Sequence, residues 1–277
     1  MHCAALSFDV RRGQPLANLA EVERGLASAR ERGIELVLLP EMWPTSFPTP
    51  ESHRDELRQG SELCRARLIE LCRQWGMFVA GSMFHFAAEL PTNRFELIGP
   101  SGPLLCYDKV HLFSPTAEPA GFTAGSAPPG VATLAQGKVS AVVCYDLRFP
   151  ELLRVPWLAG AELLLVPCQW PSARAAQLRA LALGTAAWMQ AFVLVCNRTG
   201  TDRIGRRAME LEFGGGSLLA GPRGRVLAQG TCEPGLVHAQ LDWDDLRALR
   251  REIPVQRDRR PAAYGELGTS RTNEDTP

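Results

Sequence analysis

"SAVVCYDLRFPEL", residues 140–152, carries an apolar run to a cysteine and then changes character within one residue. Ala141, Val142 and Val143 read as the end of a buried strand. Tyr145, Asp146 and Arg148 follow at once, and Phe149-Pro150-Glu151 opens a helix, since proline suits a first turn that needs no N–H. A cysteine serving only as a small apolar filler belongs deeper inside such a run. Cys144 instead stands where a strand gives way to a loop, and α/β folds gather their functional groups at such ends. The segment predicts a strand–turn–helix unit. What else the chain brings to that end decides its chemistry.

The same alternation extends outward in both directions. Downstream, a strand over 161–167 is followed by a long helix over about 173–190 and a strand over 192–197. "FGGGSLLAGPRGRVLAQG" (213–230) reads as a hairpin with Pro222-Arg223-Gly224 at its tip, and a strand near 235–241 and a short helix over 242–250 follow. Upstream, strands are expected over 3–8, 34–40, 77–84, 93–99 and 104–107. A helix over 15–32 carries Leu16, Leu19, Ala20, Val22 and Leu26, and one over 61–75 carries Leu63, Leu68, Leu71 and Cys72. No repeat, low-complexity block or linker divides the chain, so these elements argue for one layered α/β domain.

Composition excludes several classes of function. Thirty basic and thirty acidic side chains leave a formal net charge of zero over 277 residues, which offers no electrostatic footprint for nucleic acid or anionic membrane. No apolar stretch reaches the roughly 20 residues of a membrane span, and "MHCAALSFDV" is no secretory signal, so a cytoplasmic protein is expected. The eight cysteines are scattered without Cys-x-x-Cys or zinc-ligand spacing and read as mostly buried thiols. His111 likewise lacks metal-ligating company and reads as a structural hydrogen-bonding group.

Two further strand ends carry charged residues. "VLLPEMWPTSF" puts Glu41 directly after a strand, and "CYDKVHLF" does the same with Lys109. A thiol attacks well only as thiolate and needs a base or a cation to become one. Glu41 offers the first and Lys109 the second. Taken in order, "LLPEMWPTSF", "YDKVHLF" and "VVCYDLRFPEL" resemble the three signature segments of the nitrilase superfamily, the carbon–nitrogen hydrolases. The separations fit too: 68 residues from Glu41 to Lys109 and 35 from Lys109 to Cys144.

The resemblance implies a four-layer αββα sandwich over residues 1–255, with 256–277 as a polar and partly disordered tail. It implies Glu41 as general base, Lys109 as oxyanion-stabilising cation, Cys144 as nucleophile, and Glu118 in "AEPAGFTAG" as the residue that orients Lys109 and the substrate. Tyr145, Trp170 and Phe113 are expected to line the substrate pocket. Asp146 and Arg148 are expected to brace the turn by ion pairing. No metal or organic cofactor is required for the implied reaction, in which a small linear amide yields a carboxylic acid and ammonia through a thioester.

"CYDLRFPEL", "VPCQWPSAR" and "NRTGTD" look most like the ω-amidase-type branch, which acts on monoamides of short dicarboxylates. An acyltransferase or an N-carbamoyl amidohydrolase would use the same triad. Gln169, the segment around Trp188, and Gly214 depart from the usual family pattern. The family also pairs its sandwiches. The helix after the cysteine, apolar at Leu152, Leu153, Val155, Trp157 and Leu158, predicts a homodimer, with Arg260 and Tyr264 as contacts from the tail.

Overall fold

The computed structural model describes residues 1–47, 53–86, 89–116, 118–204 and 209–264. In chain order the elements of the first half are β1 (His2–Ser7), α1 (Pro15–Glu31), β2 (Leu36–Leu38), α2 (Arg54–Trp75), β3 (Phe78–His85), β4 (Thr92–Gly99) and β5 (Gly102–Asp108). The second half begins with β6 (Ala132–Thr133), β7 (Lys138–Ala141), α3 (Pro150–Leu158), β8 (Leu163–Cys168), α4 (Ala175–Met189) and β9 (Phe192–Asn197). It continues with β10 (Thr199–Ile204), β11 (Met209–Gly214), β12 (Leu218–Ala220), β13 (Val226–Gln229), β14 (Gly235–Gln240) and α5 (Trp243–Glu252).

Two six-stranded sheets result, in the orders β14-β1-β2-β3-β4-β5 and β13-β12-β9-β8-β7-β6. Each is parallel at its centre: β1, β2 and β3 run together, as do β7, β8 and β9. Strand alternation shows how the layers stack. Ala4, Leu6, Val37 and Val79 join Leu19, Val22, Leu26, Leu68 and Leu71 in the core beneath α1 and α2. The intervening residues Cys3, Ala5, Leu36, Leu38 and Ala80 turn the other way and meet Ala141, Leu163, Leu165 and Val195 of the second sheet. Leu178, Ala182, Ala186 and Met189 of α4 belong to that same larger core. Helix, sheet, sheet, helix is the four-layer sandwich that the sequence predicts.

Several boundaries differ. The helix expected over 61–75 begins at Arg54, and it ends where Gly76 takes φ 68 and donates its N–H to the Cys72 carbonyl. Leu63 and Leu16 are exposed (48% and 65%), so Cys64 rather than Leu63 continues the buried stripe of α2. β7 stops at Ala141, and Val142 and Val143 remain wholly buried without belonging to a strand. The hairpin expected over 213–230 is confined to β12 and β13, because Phe213 and Gly214 pair with β10 in a separate two-stranded ribbon. Six cysteines are buried, but Cys106 and Cys232 are exposed.

The segment after α5 turns back on α3. Gln256 Nε2 donates to the Trp157 carbonyl, the Arg259 guanidinium lies 5.7 Å from the Trp157 ring, and that of Arg154 lies 5.8 Å from Tyr264. Residues 265–277, where the disordered end of the tail was expected, lie outside the described residues. No helix among the described residues is long and apolar enough to cross a membrane.

Candidate active site

The topology sends several strand ends to one side. Glu41 lies just beyond β2, Lys109 directly after β5, Cys144 beyond β7, Gln169 directly after β8 and Arg198 directly after β9. β5 follows two antiparallel steps from β3 and so ends at the same edge as the parallel strands. There a pocket of about 480 Å³ opens, lined by all seven site residues singled out in the sequence: Glu41, Lys109, Glu118, Cys144, Tyr145, Trp170 and Phe113.

Cys144 has φ 47, a left-handed conformation that a non-glycine residue holds only when its surroundings impose it. Asp146, wholly buried, does much of the imposing. Its Oδ1 accepts from the backbone N–H of His111 and contacts His111 Nδ1 at 2.9 Å, while Oδ2 accepts from Tyr107 Oη and the Val143 N–H. The expected Asp146–Arg148 ion pair does not form. Arg148 instead donates to Gln177 Oε1 and lies over the Trp170 ring at 4.6 Å, on the pocket wall. His111 has the structural role expected of it, stacked on Phe149 at 3.5 Å.

Lys109 is 1% exposed, and its Nζ donates to Glu41 Oε1 at 2.9 Å and to both oxygens of Glu118 at 3.0 and 2.9 Å. Burial alone would discharge the ammonium, but the two carboxylates outweigh it and hold the Lys109 pKa well above its ordinary value. Glu118 also accepts the Phe113 N–H at 2.6 Å, tying the loop that carries Phe113 to the cation.

Burial raises the Glu41 pKa against the pull of Lys109, so this carboxylate is a stronger base than an exposed one. The Cys144 thiol is pushed well above its ordinary range, first by its hydrogen bond with Cys168, then by burial and the negative field of Glu41, with Lys109 opposing. The thiol therefore rests protonated, and Glu41 is the group placed to accept its proton.

Glu41 itself is fixed by Asn93, which the sequence reading passed over, and by Gln169, which it noted only as a departure from the family pattern. Asn93 Nδ2 donates to Oε1 at 2.9 Å, the Gln169 N–H donates to Oε2 at 3.0 Å, and Gln169 Nε2 reaches the Glu41 carbonyl at 2.9 Å. Behind Gln169 stands Arg198, buried, whose guanidinium contacts Gln169 Oε1, Ser46 Oγ, Asp9 and Asp202. Asp202 lies on the β10–β11 ribbon, which lends Ile204 and Leu211 to the pocket lining. The signals were present: Asn93 occupies an inward position of β4 beside Phe95 and Leu97, and Arg198 follows an entirely buried strand.

The departures from the family pattern have separate outcomes. Gln169 is part of the site. A Cβ at Gly214 would meet Ser172 Oγ at 2.9 Å, and Trp188 packs edge-on against Trp157, on a face away from the pocket lining. Among the described residues no group of three or more His, Cys, Asp or Glu is arranged to hold a metal ion.

Residues 7–251 match the protein family described as carbon-nitrogen hydrolase. The chain is 31% identical to 2-oxoglutaramate amidase of Bacillus subtilis over 264 residues, covering 94% of this chain and 98% of that one. It is 31% identical over 249 residues to omega-amidase YafV of Yersinia enterocolitica, covering 87% and 90% respectively. Among solved structures it resembles a mutant amidase from Nesterenkonia sp. AN1, with TM-score 0.82, 28% identity and 95% of each chain covered. That structure shows covalent addition of the acetamide moiety of fluoroacetamide at the active-site cysteine.

Proposed function

The chain belongs to the carbon–nitrogen hydrolase family, and from that premise we propose that it is an ω-amidase-like enzyme whose substrate is a short linear amide bearing a carboxylate. In this reading Glu41 takes the Cys144 proton as sulfur attacks the amide carbon. Lys109 and the Tyr145 N–H stabilise the oxyanion of the tetrahedral adduct, each contributing about 2–4 kcal/mol. Glu41 returns the proton to the departing nitrogen, ammonia leaves, and an acyl thioester remains on Cys144. Water takes the place of ammonia, gives a proton to Glu41 and attacks the thioester, which releases the acid and restores the thiol. Glu118 keeps Lys109 aimed, through its two short contacts with Nζ.

The observation that carries the substrate class is the pair of arginines on the pocket wall. Arg148 and Arg174 both line it, over the rings of Trp170 and Phe113, and neither pairs with a carboxylate among the described residues. A substrate carboxylate supplies the missing anion and sets the length between it and the scissile amide. The names of the bacterial relatives, a 2-oxoglutaramate amidase and an omega-amidase, support the same class.

The test is ammonia release from 2-oxoglutaramate against uncharged butyramide. The anionic amide should be preferred by at least about tenfold in kcat/KM, and Arg148→Met should erase most of that preference while Cys144→Ala abolishes turnover of both. Equal turnover of the two amides would overturn the ω-amidase reading. The same reading places the enzyme in the cytoplasm as a homodimer, with the face around α3 as the contact.

A further inference from the structure

We infer that Asn93 is a positioning residue for the catalytic glutamate: it fixes the carboxylate of Glu41 with Oε2 free to serve Cys144 and holds Glu41 in its ionised form. The inference rests on the role proposed for Glu41, but not on which amide is the substrate.

Asn93 is wholly buried in β4, on the face that carries Phe95 and Leu97 into the core. Asparagine is a poor strand residue, and a core position between two sheets ordinarily takes an apolar side chain. Its neighbours on the strand behave as expected: Arg94, pointing the other way, makes a two-point pair with Asp108. Something specific holds an amide at 93.

That something is Glu41. Asn93 Nδ2 donates to Glu41 Oε1 at 2.9 Å, and the assignment of the amide is fixed by chemistry, because an ionised carboxylate only accepts. The other half of the amide gains nothing, since Asn93 Oδ1 is buried with no hydrogen-bond partner among the described residues. A buried acceptor without a partner costs stability, so a side chain retained only for packing would not be an asparagine. The Asn93 carbonyl also accepts the Lys109 N–H at 3.0 Å, so one residue registers both the base and the cation.

The geometry divides the labour between the two carboxylate oxygens. Oε1 is saturated by Lys109 Nζ and Asn93 Nδ2, and Oε2 receives only the Gln169 N–H, which leaves its second lone pair toward the thiol. A hydrogen bond to the charged form also opposes the burial that raises the Glu41 pKa. Without Asn93 the carboxylate would keep Lys109 and the Gln169 N–H but lose one of the two donors on Oε1, and it would titrate at higher pH.

The experiment compares Asn93→Ala and Asn93→Leu, which is close in size and adds no charge, with the wild-type enzyme and with Glu41→Gln. In each, the pH dependence of Cys144 alkylation by iodoacetamide and of kcat/KM for amide hydrolysis is followed. Both Asn93 variants should lose about 10- to 100-fold in kcat with KM changed by less than about threefold. In both, the acid limb of each profile should move to higher pH by about one unit. Glu41→Gln should have no such limb in alkylation.

A purely structural Asn93 would lower the melting temperature and the active fraction equally at every pH and leave the limb in place, and that result overturns the inference. Should Asn93→Ala not fold, Asn93→Leu, which keeps the bulk and loses the donor without adding a charge, carries the same comparison. Alkylation needs no substrate. A shifted alkylation limb in a protein that hydrolyses no amide would sink the proposed function and leave this inference standing.

Discussion

Cys144 and Glu41 set a conflict between stability and chemistry at single residues. The proposed nucleophile sits at φ 47, and its proposed general base is a carboxylate buried to 1% exposure whose pKa burial has raised. A group with a raised pKa in the folded protein contributes its full stability below the pKa of the unfolded chain and loses it as pH climbs through the folded value. At neutral pH the ionised Glu41 is therefore a cost that the fold bears. Glu41→Gln should abolish turnover, because an amide accepts no proton, yet leave the melting temperature at pH 7 at or above that of the wild type. The difference should shrink as pH falls to about 4, where an ordinary glutamate is protonated in the unfolded chain. Lys109 keeps both oxygens of Glu118 in this variant, so it is not stranded without an anion. Calorimetry at pH 4, 5.5 and 7 measures this; a variant less stable than wild type at pH 7 but equal at pH 4 would reverse the assignment of cost.

The β10–β11 ribbon shows what the sequence concealed at the level of elements. Apolar alternation exposed the sandwich strands because each buries one face against a helix and the other against the opposite sheet. The ribbon pairs "TGTDRI", which has no two-residue apolar period, with "MELEFG", which alternates Met209, Leu211 and Phe213 with glutamates but buries only Phe213, so its alternation marks no core face. Its attachment is polar instead: Asp202 pairs with Arg198 at 2.9 Å and with Arg12, and Gly200 crosses close to Asp9. Gly200 has φ +87, and a Cβ there would lie 2.2 Å from Asp9 Oδ1, the oxygen that holds Arg198. Gly200→Ala should thus cost about 1–3 kcal/mol in urea unfolding and lower kcat, since Arg198 braces Gln169 and Gln169 braces Glu41. Unchanged unfolding and unchanged kcat would show that the ribbon is anchored elsewhere. Glu41 and Cys144 were legible because each follows an apolar run with an abrupt charge or thiol, and Lys109 because its segment completes the family's signature. Asn93 and Arg198 were not, and Gln169 showed only as a departure from that pattern, since a brace is recognised by what it touches and its partners lie far along the chain.

At the scale of the molecule, four layers bury two faces of each sheet and one face of each helix, and the remaining helix faces meet solvent or another chain. α3 is the exception to a polar outer face. Val155 is 41% exposed, Trp188 of α4 is 37% exposed, and a groove lined by Trp157, Trp188, Ile253 and Tyr264 runs beside them. Arg154 and Arg259 lie over the aromatic rings of this groove, and the backbone N–H of Arg260 donates to Tyr264 Oη at 2.8 Å, so the tail segment is ordered against α3. An apolar patch rimmed by arginines has the composition of a protein interface, with aromatic and arginine side chains at its centre and few carboxylates. A two-fold axis through it would set α3 of one subunit against the same helix of its partner, the closed arrangement most soluble oligomers adopt. Light scattering at micromolar concentration should then give twice the 30.3 kDa of one chain. Val155→Glu combined with Trp188→Glu should halve that mass, because two carboxylates per subunit would have to be desolvated at the contact in place of apolar side chains. Residual activity of the separated subunits would fall with the order of α3, whose first turn follows the Cys144 loop directly. A mass of one chain for the unaltered protein, or a dimer indifferent to both substitutions, would move the interface away from this face.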